Sequence, residues 1–147
     1  MDALELLKQD HQNVKELFQQ ANAAKDSNER KQLFDQIEKE LEIHAHIEET
    51  VFYPALEKHE ELKDMVAEAL EEHQEVKALL EEMEDLQSDS DELDSQLLEL
   101  QETVEHHVEE EEGEMFPQVR ELFQEGELER LGSQLESAKG KQRRQAG

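Results

Sequence analysis

The sequence predicts an all-α protein: an up-down-up-down four-helix bundle followed by a short C-terminal helix. Three observations carry that expectation. Only five Gly and two Pro occur in 147 residues otherwise rich in Glu, Leu, Gln and Ala, a composition that favours helices. Apolar residues recur every three or four positions in four long segments, so this polar chain reads as amphipathic helix and not as disorder. The chain also repeats itself. Asp10-His11-Gln12-Asn13-Val14-Lys15 is echoed by Glu72-His73-Gln74-Glu75-Val76-Lys77. His44-Ala45-His46-Ile47-Glu48-Glu49, running on to Phe52-Tyr53-Pro54, is echoed by His107-Val108-Glu109-Glu110-Glu111-Glu112, running on to Met115-Phe116-Pro117. The offsets, 62 residues from His11 to His73 and 63 from His44 to His107, mark two copies of a helix pair.

Helix 1 is expected from Ala3 to Ala24 with Asp2 as its N-cap, and Leu4, Leu7, His11, Val14, Phe18 and Ala21 form its inward stripe. Asp26-Ser27-Asn28-Glu29 resembles a capping box and opens helix 2, which should run to about Lys58. Its stripe is Leu33, Ile37, Leu41, His44, Glu48, Val51 or Phe52, and Ala55. Helix 3, Leu62 to Leu86, shows Leu62, Val66, Ala69, His73, Val76, Leu80 and Met83. Ser88-Asp89-Ser90-Asp91 reads as a connection that supplies caps. Helix 4, Glu92 to Gln124, carries Leu93, Leu97, Leu100, Val104, His107, Glu111, Met115 and Leu122, with Gly126 expected to close it. Pro54 and Pro117 fall inside these patterns and should kink or end their helices just beyond each His-x-x-x-Glu. A short amphipathic helix is expected at Leu128, Leu131 and Leu135, completing a domain of residues 1–138. A flexible basic tail, 139–147, should follow it.

The chemistry lies in the stripes. A His and a Glu four apart share one helix face with Cβ atoms about 5–6 Å apart, as do His44/Glu48 and His107/Glu111. His11 and His73 occupy the matching apolar stripes of the other two helices. One such His is ordinarily a hydrogen-bonded core residue; four His and two Glu at one level of a bundle would be hard to satisfy without cations. His106 and Glu110 are also four apart, but they share a face with Glu99, Thr103 and Glu114 and read as a solvated pair. His46 falls on an exposed face and His59 in a helix-end connection. Glu49 and Glu112, equivalent across the repeat, read equally as supports of the site or as surface. Phe52 and Met115 read as core packing. Tyr53, near the expected kink, either packs there or reaches the site, as hydrogen-bond donor or ligand. Lys15 and Lys77 read as surface ion pairs.

The series His11, His44-x-x-x-Glu48, His73, His107-x-x-x-Glu111, with paired Glu-Glu and a downstream aromatic-Pro, resembles the hemerythrin-like, or HHE cation-binding, family. It covers the chain from His11 to Pro117. The resemblance implies a non-haem di-iron centre, two Fe ions with an oxo or hydroxo bridge, held by those six residues. Histidine and carboxylate ligands would also accept Zn or Mn. O₂, peroxide or NO would be the small-molecule partner, in redox chemistry or sensing. The oxygen-carrying hemerythrins have a further His where this chain has Lys77, and an Asp five residues after the last His where this chain has Glu111 at four. With Glu48 and Glu111 both bridging, each six-coordinate metal keeps four protein ligands and two open positions. That count argues against clean reversible O₂ carriage. An O₂ carrier or iron store remains one alternative, and a metal-independent acidic helical interaction module another. Enzymatic activity is left open.

Composition excludes other classes. No Cys is present, so disulfides, thiolate zinc sites and iron–sulfur clusters are out. A net charge of −26 repels nucleic-acid phosphates. No apolar run approaches the roughly 20 residues that span a membrane, and no basic-then-apolar leader opens the chain, so a cytoplasmic location is expected.

Overall fold

The computed structural model describes residues 1–86 and 91–146. Among these residues every regular element is helical: α1 (Ala3–Ala23), α2 (Ser27–Ile47), α3 (Tyr53–Leu56), α4 (Lys63–Glu84), α5 (Asp91–Glu110), α6 (Phe116–Leu122) and α7 (Glu125–Ala146). The expected connection at Ser88-Asp89-Ser90 lies outside the described residues.

The caps form as the sequence predicts. Asp2 accepts the Glu5 amide at 2.9 Å, and Asp26 accepts that of Asn28 at 3.0 Å. The prolines act differently from a simple kink. A single π turn, Glu48–Phe52, joins α2 to α3, and another, Glu111–Met115, joins α5 to α6. Pro54 and Pro117 lack an N–H and clash with an α-register carbonyl. The helix slips register just before each, so that the Tyr53 amide donates to Glu48 O and the Phe116 amide to Glu111 O.

Apolar residues of the stripes collect into two clusters. Leu4, Leu7, Phe52, Leu56, Val66 and Phe116 belong to one. Val14, Phe18, Ile37, Leu80, Leu97 and Leu100 belong to the other. Each fully buried Phe or Leu contributes roughly 1.5–3 kcal/mol. Between the clusters, at the stripe positions that separate Leu7 from Val14, lie four buried His and two buried Glu.

The C-terminal region departs from expectation. The helix before it ends at Leu122, and Gly126 sits in the first turn of α7 and closes nothing. α7 spans 22 residues and takes in the segment from Lys139 that sequence alone marks as a flexible tail. The reason is tertiary. Leu128, Leu131 and Leu135 bury against Ala3, Leu6 and Ile47, an apolar face that α1 and α2 carry beside their inward stripes. Farther along, Lys139 pairs with Asp10, and Arg143 grips Glu40 through two bonds of 2.9 and 3.0 Å. Gly132 permits the close approach: a Cβ there would stand 2.5 Å from Met1 O and 2.9 Å from Asp2 C. No described helix is long and apolar enough to cross a membrane.

Candidate metal centre

All six sequence-predicted residues come together. His11 (α1), His44 (α2), Glu48 and Glu111 form one cluster of donor atoms within 4.8 Å of one another, and Glu48, His73 (α4) and His107 (α5) form a second. Glu48 belongs to both: its Oε1 lies 3.2 Å from His44 Nε2 and 3.1 Å from His73 Nε2. Glu111 mirrors it, with Oε1 3.2 Å from His11 Nε2 and Oε2 3.3 Å from His107 Nε2. Glu48 is 0% exposed and Glu111 2%.

A carboxylate backs every imidazole. The Nδ1–H of His11 donates to Glu112 at 2.6 Å, and that of His73 to Glu49 at 2.8 Å. His44 donates to Asp10 at 3.2 Å and His107 to Glu72 at 2.6 Å. Ionised carboxylates only accept, so Nδ1 carries the proton and a neutral ring presents its bare Nε2 lone pair inward. The four pairs obey the repeat: Asp10 corresponds to Glu72, and Glu49 to Glu112. Sequence reasoning left Glu49 and Glu112 open and missed Asp10 and Glu72, each one residue before a His; the repeated acid-His dipeptide was the available clue.

The inward atoms are arranged for something positive between them. His11 Nε2 faces His44 Nε2 at 3.2 Å, a repulsive approach for two lone pairs unless a proton or cation intervenes. Glu48 Oε2, Glu111 Oε1 and His107 Nε2 are buried and lack a hydrogen-bond partner among the described residues. Buried atoms of this kind cost about 1–3 kcal/mol each when left unsatisfied. Imidazole and carboxylate oxygens in this number fit one or two divalent or trivalent cations. In the metal-free chain, protons do that work. Burial lowers the proton affinity of His107, but Glu111 and Glu48 outweigh it and raise the pKa to about 9. His11, His44 and His73 rise for the same reason, burial being outweighed by the carboxylates facing them. Burial would raise the pKa of Glu111, yet His107 and His11 hold it well below the ordinary carboxylate range.

The two halves differ at an aromatic position beside the site. Tyr53 stands where the second half has Phe116, and it reaches the site. Its hydroxyl donates to Glu111 Oε2 at 2.5 Å and lies 3.3 Å from His73 Nε2. Phe116 instead stacks near His11, ring centroids 6.2 Å apart. Phe52 and Met115 are buried in the apolar cluster, as their packing role requires. On the other side of the histidine layer, a cavity of about 480 Å³ opens between the helices, walled by Val14, Phe18, Leu41, Val76, Val104 and Val108. His46 is exposed, and His106 pairs with Glu110 at 2.9 Å on the surface. His59 stacks on Phe123.

Comparisons with known proteins agree with the helical fold. The crystal structure of a hemerythrin HHE cation binding domain-containing protein from Mycobacterium kansasii superposes with a TM-score of 0.89 at 30% identity, covering 99% of this chain and 90% of that one. A DNA nickase from Nostoc sp. is 28% identical over 153 residues, covering 100% of this chain but only 42% of the relative. The sequence profile of the hemerythrin HHE cation binding domain matches residues 2–119, and the chain belongs to that family.

Proposed function

We propose that this chain is a non-haem di-iron protein in which His11, His44, Glu48, His73, His107 and Glu111 hold two iron ions and support redox chemistry with O₂, peroxide or NO. The observation that carries the proposal is the set of four Nδ1–carboxylate pairs, which turn four bare Nε2 atoms toward two buried carboxylates. Glu48 and Glu111 would be shared between the two ions, with His11 and His44 holding one and His73 and His107 the other. The bundle is made by α1, α2 with its continuation α3, α4, and α5 with its continuation α6, in up-down-up-down order. The domain takes in the whole of α7, whose Lys139 and Arg143 pair with Asp10 and Glu40, and the site is cytoplasmic in this reading.

Iron held there would supply one-electron redox steps. The residues around it do the rest. Asp10, Glu49, Glu72 and Glu112 fix each ring's tautomer and direction. The Tyr53 hydroxyl holds a proton at Glu111 Oε2, where it is positioned to serve a reacting oxygen atom. The cavity beside the histidines, lined by valines and Phe18 but also by charged side chains such as Lys15 and Glu109, gives a small oxidant a way in. The Nostoc relative is a DNA nickase, and this chain spans 42% of it. With a net charge of −26, the present chain takes no direct part in binding DNA in our reading.

The deciding experiment loads the protein with Fe²⁺ without oxygen and follows absorption in stopped flow after mixing with O₂ and, separately, with peroxide. Rapid oxidation, with peroxide consumed over many turnovers, is the expected result. A stable, reversible O₂ complex would overturn it in favour of carriage. No optical change with either would favour iron storage or another metal, and far fewer than two ions per chain would leave the acidic interaction module.

A further inference from the structure

A second group of possible metal ligands lies outside the buried centre. Glu72, His106 and Glu110 bring donor atoms within 4.8 Å of one another at the surface between α4 and α5. Glu72 belongs to both places: its Oε1 accepts from His107 at 2.6 Å, while its Oε2 lies 4.0 Å from His106 Nε2. Beside Glu72 and Glu110 a cavity of about 20 Å³, enough for one water molecule or one bare cation, is lined by Glu68, Glu72, Glu110 and Glu114, with Met65, Ala69 and Met115, around His107 and Glu111. Glu111, 2% exposed, forms its inner end, with Oε2 toward His107 at 3.3 Å and Oε1 turned to His11 at 3.2 Å.

The other half of the repeat shows that this opening is not a by-product of the bundle. At the equivalent positions stand Leu6 for Glu68, Asp10 for Glu72, Ile43 for His106 and Ile47 for Glu110. Leu6 and Ile47 are buried with Leu131 and Leu135 of α7, and Lys139 occupies Asp10. One half is therefore sealed with apolar residues and a cation. Its twin presents an imidazole, carboxylates and a narrow gap.

We propose that Glu72, His106 and Glu110 form a capture site for a divalent transition-metal ion, and that the gap below them is its path to His107 and Glu111. The inference rests on the reading that the buried centre holds cations. Imidazole with carboxylate oxygens suits Fe²⁺, Co²⁺, Zn²⁺ and Mn²⁺. A cleft lined with one sign of charge also raises the local concentration and arrival rate of the opposite sign. Glu72, bonded to His107 on one side and facing the captured ion on the other, is the point of transfer.

The test mixes metal-free full-length protein with Co²⁺ in stopped flow and reads the growth of the cobalt absorption band. Final stoichiometry is measured separately. His106→Gln with Glu110→Gln is the informative variant, because an exposed pair contributes little stability and its loss leaves the fold intact. Filling should slow about tenfold at limiting cobalt, with the same final occupancy. Glu99→Gln, an exposed change of equal net charge on α5, should leave the rate as it was. An unchanged rate in the double variant overturns the path. So does slowing by Glu109→Gln, at the mouth of the large cavity, in place of the double variant. A wild-type chain that never takes up cobalt at the buried centre refutes the centre itself, which separates the two failures.

Discussion

Removing metal should destabilise the protein by an amount that grows with pH. Without metal, the acidic centre is held together by protons on its histidines. The raised pKa of His107, about 9 against an ordinary 6.5, means that its protonated form favours folding. That contribution is complete below pH 6.5 and vanishes as pH rises through about 9. A difference of about 2.5 units corresponds to on the order of 3 kcal/mol. His11, His44 and His73 shift in the same direction and add to it. At roughly 3–4 °C per kcal/mol for a chain of this size, the metal-free melting temperature should fall by about 10 °C between pH 6.5 and 9. A bound cation replaces those protons, so the loaded protein should hold its melting temperature over the same range. At a hundredfold excess over Kd, metal also adds about 2.7 kcal/mol by mass action. Calorimetry of chelated and loaded samples at four pH values from 6.5 to 9.5 measures the widening gap directly. Parallel curves, or a metal-free protein that gains stability with pH, would refute the picture of protons standing in for cations. No effect of chelation at any pH would favour a metal-independent module.

Other outcomes follow from single residues. Glu48→Gln should lower metal content at both positions, since its carboxylate faces both clusters, and elemental analysis after iron loading would show it; full occupancy would exclude a bridging role. Glu72→Gln replaces the acceptor of the His107 Nδ1–H with a neutral one and should weaken metal affinity by about 10–100-fold in a competition titration, with the fold retained. Tyr53→Phe removes the hydroxyl that donates to Glu111 and should cost about 1–3 kcal/mol in chemical denaturation of the metal-free protein. Gly132→Ala should lower the melting temperature despite alanine's better helix propensity, because the new Cβ meets the backbone of Met1 and Asp2; a rise would show that α7 tolerates displacement there.

The six donors were legible because a helix repeats its faces. A His at a stripe position can only point where its apolar neighbours point, and doing so twice in each half identifies the layer. The supports were harder to read. Asp10 and Glu72 lie about 100° around the helix from His11 and His73, a direction that looks like surface within one helix. Each serves a histidine on the adjacent helix, and only packing supplies that pairing. The length of α7 was hidden for a similar reason. Its last turns hold Gly140 and a run of bases, a local recipe for fraying, and they are held by Asp10 and Glu40, more than a hundred residues away. Pro54 and Pro117 correctly marked a disturbance, but a proline shows where an α register must fail, not which register replaces it.

That replacement register has a geometric consequence. Along an α-helix, residues five apart diverge by well over a quarter turn, so Glu48 and Tyr53 would face different neighbours. In a turn bonded from each residue to the fifth beyond it, they lie one above the other. The extra residue in Glu48–Phe52 thus works as a phase shifter. It brings the Tyr53 hydroxyl to the centre that His44 and Glu48 face, and its counterpart leaves Phe116 stacked near His11. Deleting Thr50 would return the segment to ordinary helix with the tyrosine four residues after Glu48, so the phenol would stay on the face of the histidine-glutamate pair. The register slip therefore lets the helix carry an extra residue ahead of the proline without turning the aromatic side chain away from the centre.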